Sequence, residues 1–228
     1  MIEKQFTYLI INLLTFIFPI IQSFESKIKF VKNWKFVFPA IFLTGTFFII
    51  WDVFKTKYGV WSFNEEYLLG MYLINLPLEE WMFFLTVPFA CVFVYEVVNF
   101  YIKNDIFGKI ANKLSIALGI ILLILAIVNY DKSYTSIVFS FGGIFALIHG
   151  IFFKYQWLGK FYLAYLASLL PFFIVNGFLT ALPVVIYNNS ENLGIRIYTI
   201  PIEDTIYSFL LLLMNLTFYE YFKKKWKK

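Results

Sequence analysis

Hydrophobic residues run along this chain in seven long blocks, separated by stretches where lysine, asparagine, glycine and acidic residues collect. The blocks cover residues 6–22, 34–54, 78–100, 114–130, 136–153, 161–179 and 202–222. A helix needs about 20 apolar residues to cross the hydrocarbon core of a bilayer, because each residue advances it by about 1.5 Å. The blocks reach that length or nearly so, and the pattern predicts seven membrane-spanning helices with short connections. The first block carries one early lysine, runs apolar from Phe6 to Ile21 and lacks a small-residue cleavage pattern. It is expected to remain as a helix rather than to leave as a signal peptide.

Composition agrees with the pattern. Of 228 residues, 61% are hydrophobic, 23% are aromatic and only 14% are charged, against about 25% charged in soluble domains. Cys91 is the single cysteine, so no intramolecular disulfide and no cysteine-ligated metal is expected; His149 is the single histidine, which leaves no paired imidazoles for haem or a di-metal site. No cofactor is expected. The net charge of +5 lies in the connections rather than on one folded face, which points to membrane orientation and away from nucleic acid. Fourteen of the basic residues fall on one side of a seven-span layout and five on the other. By the positive-inside rule the C-terminus is cytoplasmic, the N-terminus external, and the protein a multi-pass component of the cell (inner) membrane. The "KKKWKK" tail is expected to touch anionic lipid.

Sliding the sequence against itself by 124 residues gives a gapless match of "NEEYLLGMYLINLPLEEWMFF" with "NNSENLGIRIYTIPIEDTIYS". Asn64 falls on Asn188, Gly70 on Gly194, Pro77 on Pro201, Glu79 on Glu203 and Glu80 on Asp204; Asp52 meets Asn176, and Tyr95–Glu96 meets Tyr219–Glu220. Coincident proline, glycine, asparagine and acid positions carry the match, because leucine and phenylalanine are too common here to count. The expected fold is an all-α integral membrane protein of about seven transmembrane helices, built as two parallel three-helix repeats joined by a linking helix. The repeats take residues 1–112 and 134–228, and the linker takes 113–133. Four crossings return the chain to its starting side, so the copies run the same way and are related by a pseudo-two-fold axis along the membrane normal.

The duplicated acidic pairs are the candidate chemistry. Proline at the first helical position with acids in the first turn is also an ordinary helix start. Two acids each time exceed what the helix dipole needs, however, and the helices that follow are crowded with aromatics. No basic residue lies within either motif, and burial without a cation favours a neutral acid. Neighbours on a helix differ by about 100° in direction, so Glu79 and Glu80 cannot both face one cleft.

With "PLEE" (Pro77–Glu80) and "PIED" (Pro201–Asp204) in view, and with Asp52, Asn176 and the 64–70 segment in support, the chain resembles the membrane-integral lycopene β-cyclases of the heterodimeric bacterial type, with both halves fused. The resemblance implies isomerising, non-redox cyclisation of the linear ends of lycopene to β-ionone rings, through γ-carotene to β-carotene. It implies a linear carotenoid substrate held in membrane lipid, with other carotenoid-pathway enzymes or a second copy of the chain as further partners. Glu79, Glu80, Glu203 and Asp204 are the expected acid–base residues. Asp52, Asn64, Trp81, Phe83, Phe84, Asn176, Asn188 and Tyr207 are expected to bind substrate, the aromatic ones by stabilising a passing carbocation.

Glu96 and Glu220 lie about 25 Å further along their helices, where pairing with Lys103, Lys109 or the C-terminal lysines is expected. His149 is expected to be a packed, hydrogen-bonded residue. Pro39, Pro88 and Pro171 fall inside spans, where they can bend a helix. A rhodopsin would need a lysine within 202–222, which has none. The main alternative is a small proton- or cation-coupled transporter; a structural or scaffold protein comes third, since it has no need for duplicated acid pairs.

Overall fold

Each apolar block becomes a helix. In a computed structural model, which describes residues 3–226, the chain forms α1 (Thr7–Gln22), α2 (Trp34–Lys57), α3 (Leu78–Tyr101), α4 (Ala111–Val128), α5 (Ser133–Ile148), α6 (Leu158–Ala181) and α7 (Ile202–Trp226). The first six are long and apolar enough to cross a membrane. The seventh falls short in hydropathy because of where it sits. No residue from 203 to 220 is exposed, and α7 packs against α2, α3, α5 and α6. A helix shielded by its neighbours needs no lipid-facing apolar surface, so α7 can carry Glu203, Asp204 and Asn215 fully or nearly buried.

Boundaries differ from the hydropathy pattern where a polar residue has a partner inside the fold. α2 continues to Lys57 because Lys55 is buried and its Nζ donates to the carbonyl of Ser133 at 3.0 Å and to its hydroxyl at 2.9 Å. α5 runs on into a π-helical turn, His149–Phe153. His149 is buried there, with Nδ1 2.8 Å from the Phe145 carbonyl and Nε2 2.8 Å from Thr217 Oγ1, the packed histidine that the sequence suggests. α2, α3 and α6 run unbroken through Pro39, Pro88 and Pro171.

The connections before α3 and α7 contain structure that the helical pattern does not announce. Two tight hairpins form, β2 (Tyr72–Leu73) with β3 (Leu76–Pro77) and β5 (Arg196–Ile197) with β6 (Ile200–Pro201), and a ladder joins β1 (Trp61–Phe63) antiparallel to β4 (Val185–Tyr187). In that ladder Trp61 pairs with Tyr187, Ser62 with Ile186 and Phe63 with Val185. Exchanging the repeats maps the ladder onto itself, so the two-fold axis passes through the Ser62–Ile186 pair. Asn64 N–H donates to the Val184 carbonyl at 3.0 Å and Asn188 N–H to the Val60 carbonyl at 2.9 Å, again as equivalents.

The same axis emerges at the other end of the bundle. Tyr95 donates to Glu220 at 2.9 Å and Tyr219 donates to Glu96 at 2.8 Å, a reciprocal clasp between α3 and α7. The two repeats are therefore parallel, α1–α3 and α5–α7, and α4 links them while packing on α5. Lys223 bridges Glu96 at 2.5 Å, so the partner of Glu96 is a C-terminal lysine. Lys227 and Lys228, part of the tail expected to meet lipid, lie outside the described residues.

Candidate active site

The acidic pairs are aimed by the loops in front of them. Asn64 Oδ1 accepts from Glu66 N–H and Asn188 Oδ1 from Ser190 N–H, each at 3.1 Å, which turns the chain inward at matching places. Gly70 and Gly194 then take φ values of 77° and 71°, a left-handed conformation that glycine adopts without steric cost. Pro77 and Pro201 close the hairpins. The first helical N–H groups donate back into them, Leu78 to Met71 at 2.8 Å and Ile202 to Ile195 at 3.0 Å.

From this start the two acids of each pair diverge. Glu79 turns back on its loop, where Oε1 accepts from Leu69 N–H at 2.7 Å. Glu203 does the same with Leu193 N–H at 2.7 Å and also accepts from Thr135 at 2.5 Å. Both are fully buried, and neither lines the axial cavity. Glu80 and Asp204 point to the axis, into a cavity of about 70 Å³ beneath the β1–β4 ladder.

Asp52 and Asn176 line this cavity with them. Tyr8 donates to Glu80 at 2.5 Å; Tyr134 and Tyr187 donate to Asp204 at 2.5 and 2.9 Å; Tyr207 donates to Asp52 at 2.9 Å. The carboxyls of Asp52 and Glu80 are themselves in hydrogen-bonding contact. Among the described residues no lysine or arginine forms a salt bridge with any of the three acids. Trp61, Phe63, Phe83 and Phe172 supply aromatic faces to the walls. Tyr187, in the ladder, has its phenol pushed well above the usual tyrosine range by burial and then by the Asp204 charge beside it, so it remains a donor.

Of the expected substrate contacts, Asp52, Phe83, Asn176 and Tyr207 line the cavity. Asn64 and Asn188 shape the loops instead. Trp81 stands aside, its indole N–H 3.3 Å from the Leu73 carbonyl, and Phe84 lies buried behind the wall, stacked on Phe48. The sequence pattern did not single out Tyr8, Tyr134, Tyr187, Trp61, Phe63 or Phe172. Tyr8 and Tyr134 are equivalents in space but 126 residues apart, two out of step with the register that reveals the repeat.

A duplicated membrane bundle with paired acids at the head of its third and seventh helices defines a class. A family model described as lycopene cyclase matches residues 5–98 and 131–222, and the chain belongs to the lycopene cyclase family. The two matched segments are offset by 126 residues at their starts and by 124 at their ends, as are the tyrosines and the acids. Membership makes the protein an enzyme of carotenoid cyclisation with a linear carotenoid as substrate. No curated protein and no solved structure matches the chain.

Proposed function

We propose that the chain is a lycopene β-cyclase of the heterodimeric bacterial type with both halves fused, divided near residues 112 and 134 around the linking helix, and inserted with its C-terminus in the cytoplasm. The observation that carries the reading is one buried cavity on the two-fold axis where three carboxyls and four tyrosines meet, with no lysine or arginine among the described residues that line it. The two halves of that cavity differ. On one side Asp52 and Glu80 touch, an arrangement that holds a proton between two oxygens. On the other side Asp204 stands alone under two tyrosyl donors, which suits an acceptor.

The Asp52–Glu80 pair gives its proton to the terminal double bond of the polyene, leaving a tertiary cation. The next double bond attacks that cation and closes the ring, which moves the positive charge onto a ring carbon. Asp204 then removes a ring proton, and the electrons of that C–H bond form the ring double bond. One proton enters and one leaves, so no electrons are exchanged. Phe83, Trp61 and Phe172 face the passing cation, and the β1–β4 ladder excludes water. Glu79 and Glu203 act as positioning residues that fix the loops carrying the ladder. The cavity is smaller than the roughly 150 Å³ that takes up benzene, so its walls move apart as the ring forms. A proton- or cation-coupled transporter built on the same repeat gains nothing from the family match.

Expression in a lycopene-accumulating bacterium followed by chromatography of the pigments tests the reading. Conversion through a monocyclic to a bicyclic β-ended carotenoid is expected. Unchanged lycopene, or rings with a differently placed double bond, refutes it.

A further inference from the structure

Beside the axial cavity lies a second, apolar cleft of about 60 Å³ between α3 and α6, bordered by α1 and α7. Phe83, Val87, Phe172, Asn176 and Ser208 line both spaces. Beyond them the cleft is walled by small residues, Ala90, Cys91, Val94, Ser168 and Val175, and by Pro171, which is exposed on α6. It thus lies next to the cavity that holds the acids and reaches a residue of the exposed surface.

The repeat supplies a control for what this opening means. A shift of 124 residues places Met214 opposite Ala90, Phe218 opposite Val94, Phe47 opposite Pro171, Trp51 opposite Val175 and Phe84 opposite Ser208. Every counterpart is bulkier, and all of them belong to, or pack against, one buried cluster. Phe47, Trp51 and Phe141 interlock there, with ring centroids 5.1 to 5.9 Å apart. At the equivalent place, between α2 and α7, these bulkier side chains fill the space.

We propose that the α3–α6 cleft is the binding channel for the unreacted arm of a linear polyene, and that the substrate loads from this side alone. The proposal rests on the cyclase reading for the identity of the occupant. A narrow apolar slot between the acids and the bilayer fits a thin, extended conjugated chain that carries only methyl branches, with the hydrophobic effect favouring its transfer only weakly from lipid and shape deciding which molecules enter. One loading side has a kinetic consequence. After the first ring closes, the molecule must leave and return end for end, so free monocyclic product precedes the bicyclic one.

The test transplants the filled α2–α7 contact onto the open α3–α6 one, using residues of the cleft that do not line the axial cavity. In vesicle-reconstituted protein, Val175→Trp and Ala90→Met lower ring formation on full-length lycopene by about tenfold or more, the scale of overpacking a fitted space. Both keep activity on a ψ-ended isoprenoid too short to reach Ala90, which separates a blocked channel from a damaged fold. Leu170→Trp, on the exposed face of the same helix, leaves activity unchanged. Cys91, the single cysteine, reports occupancy directly: lycopene slows its reaction with an apolar maleimide several-fold. If wild-type protein forms rings and the two plugged variants form them at full rate on lycopene, the channel is refuted and the cyclase reading stands. If wild-type protein forms no rings, the cyclase reading falls, and protection of Cys91 by lycopene still decides for or against the channel.

Discussion

Replacing Tyr187 by phenylalanine removes one oxygen atom from the second acidic centre and leaves its ring in place. The repeat shows that the fold accepts this: Phe63 occupies the equivalent position across the β1–β4 ladder. The packing of the ring against Trp61 and Tyr134 is retained. What is lost is the 2.9 Å hydrogen bond to Asp204, leaving Tyr134 at 2.5 Å as the donor to that carboxyl. A hydrogen bond to a charged group contributes about 1.5–3 kcal/mol, and each 1.36 kcal/mol is a factor of ten in rate. If Asp204 receives the ring proton, its position and charge matter in the deprotonation step, and the variant should form rings about 10- to 150-fold more slowly. The assay is the initial rate of ring product from lycopene in reconstituted vesicles, read by chromatography, with thermal unfolding followed in parallel. A rate within twofold of wild type, with folding intact, would refute the assignment of Asp204 and its tyrosines to the chemistry.

Other consequences separate the roles of the paired acids. Glu80→Gln should lower turnover by about 10²–10⁴-fold, the usual worth of a positioned acid, while lycopene still protects Cys91 from maleimide; retained turnover would remove Glu80 from the mechanism. Glu79→Gln should act mainly on the loop, since Glu79 meets Leu69 N–H and not the cavity: faster amide exchange at Leu69 and about 1–3 kcal/mol lost stability, with a smaller loss of turnover than Glu80→Gln shows. Equal losses from the two variants would contradict the division of labour. Tyr219→Phe, far from the cavity, removes one half of the α3–α7 clasp and should cost about 1 kcal/mol of stability without changing the pigment profile; a changed profile would mean that the far end communicates with the site.

Much of this organisation was legible in the sequence, for identifiable reasons. Seven apolar blocks gave seven helices because a bilayer demands length and apolarity together. The parallel repeat was visible because its loops use prolines, glycines, asparagines and acids, residues rare enough in this chain for coincidence to count. The facing of the acids was not legible. Glu79 and Glu80 differ only by the rotation of α3, and that rotation is set by the hairpin and by the bond to Leu69 N–H, neither of which leaves a hydropathy signal. Tyr8 and Tyr134 escaped notice because they fall out of the 124-residue register and because aromatics are abundant throughout. Trp61 and Phe63 belong to a three-residue strand, too short for alternation to register. The open cleft could be read from the sequence only after the structure showed which positions border it.

The central claim is that protonation at one half of the axial cavity and deprotonation at the other close the ring without redox chemistry. Turnover of lycopene by the purified protein in vesicles made up in D₂O, with mass spectrometry of the products, tests it most directly. The account predicts one retained deuterium per ring, one substrate hydrogen lost per ring and no other change in composition. Rings that carry no solvent deuterium, or products that gain or lose a pair of hydrogens, would contradict it.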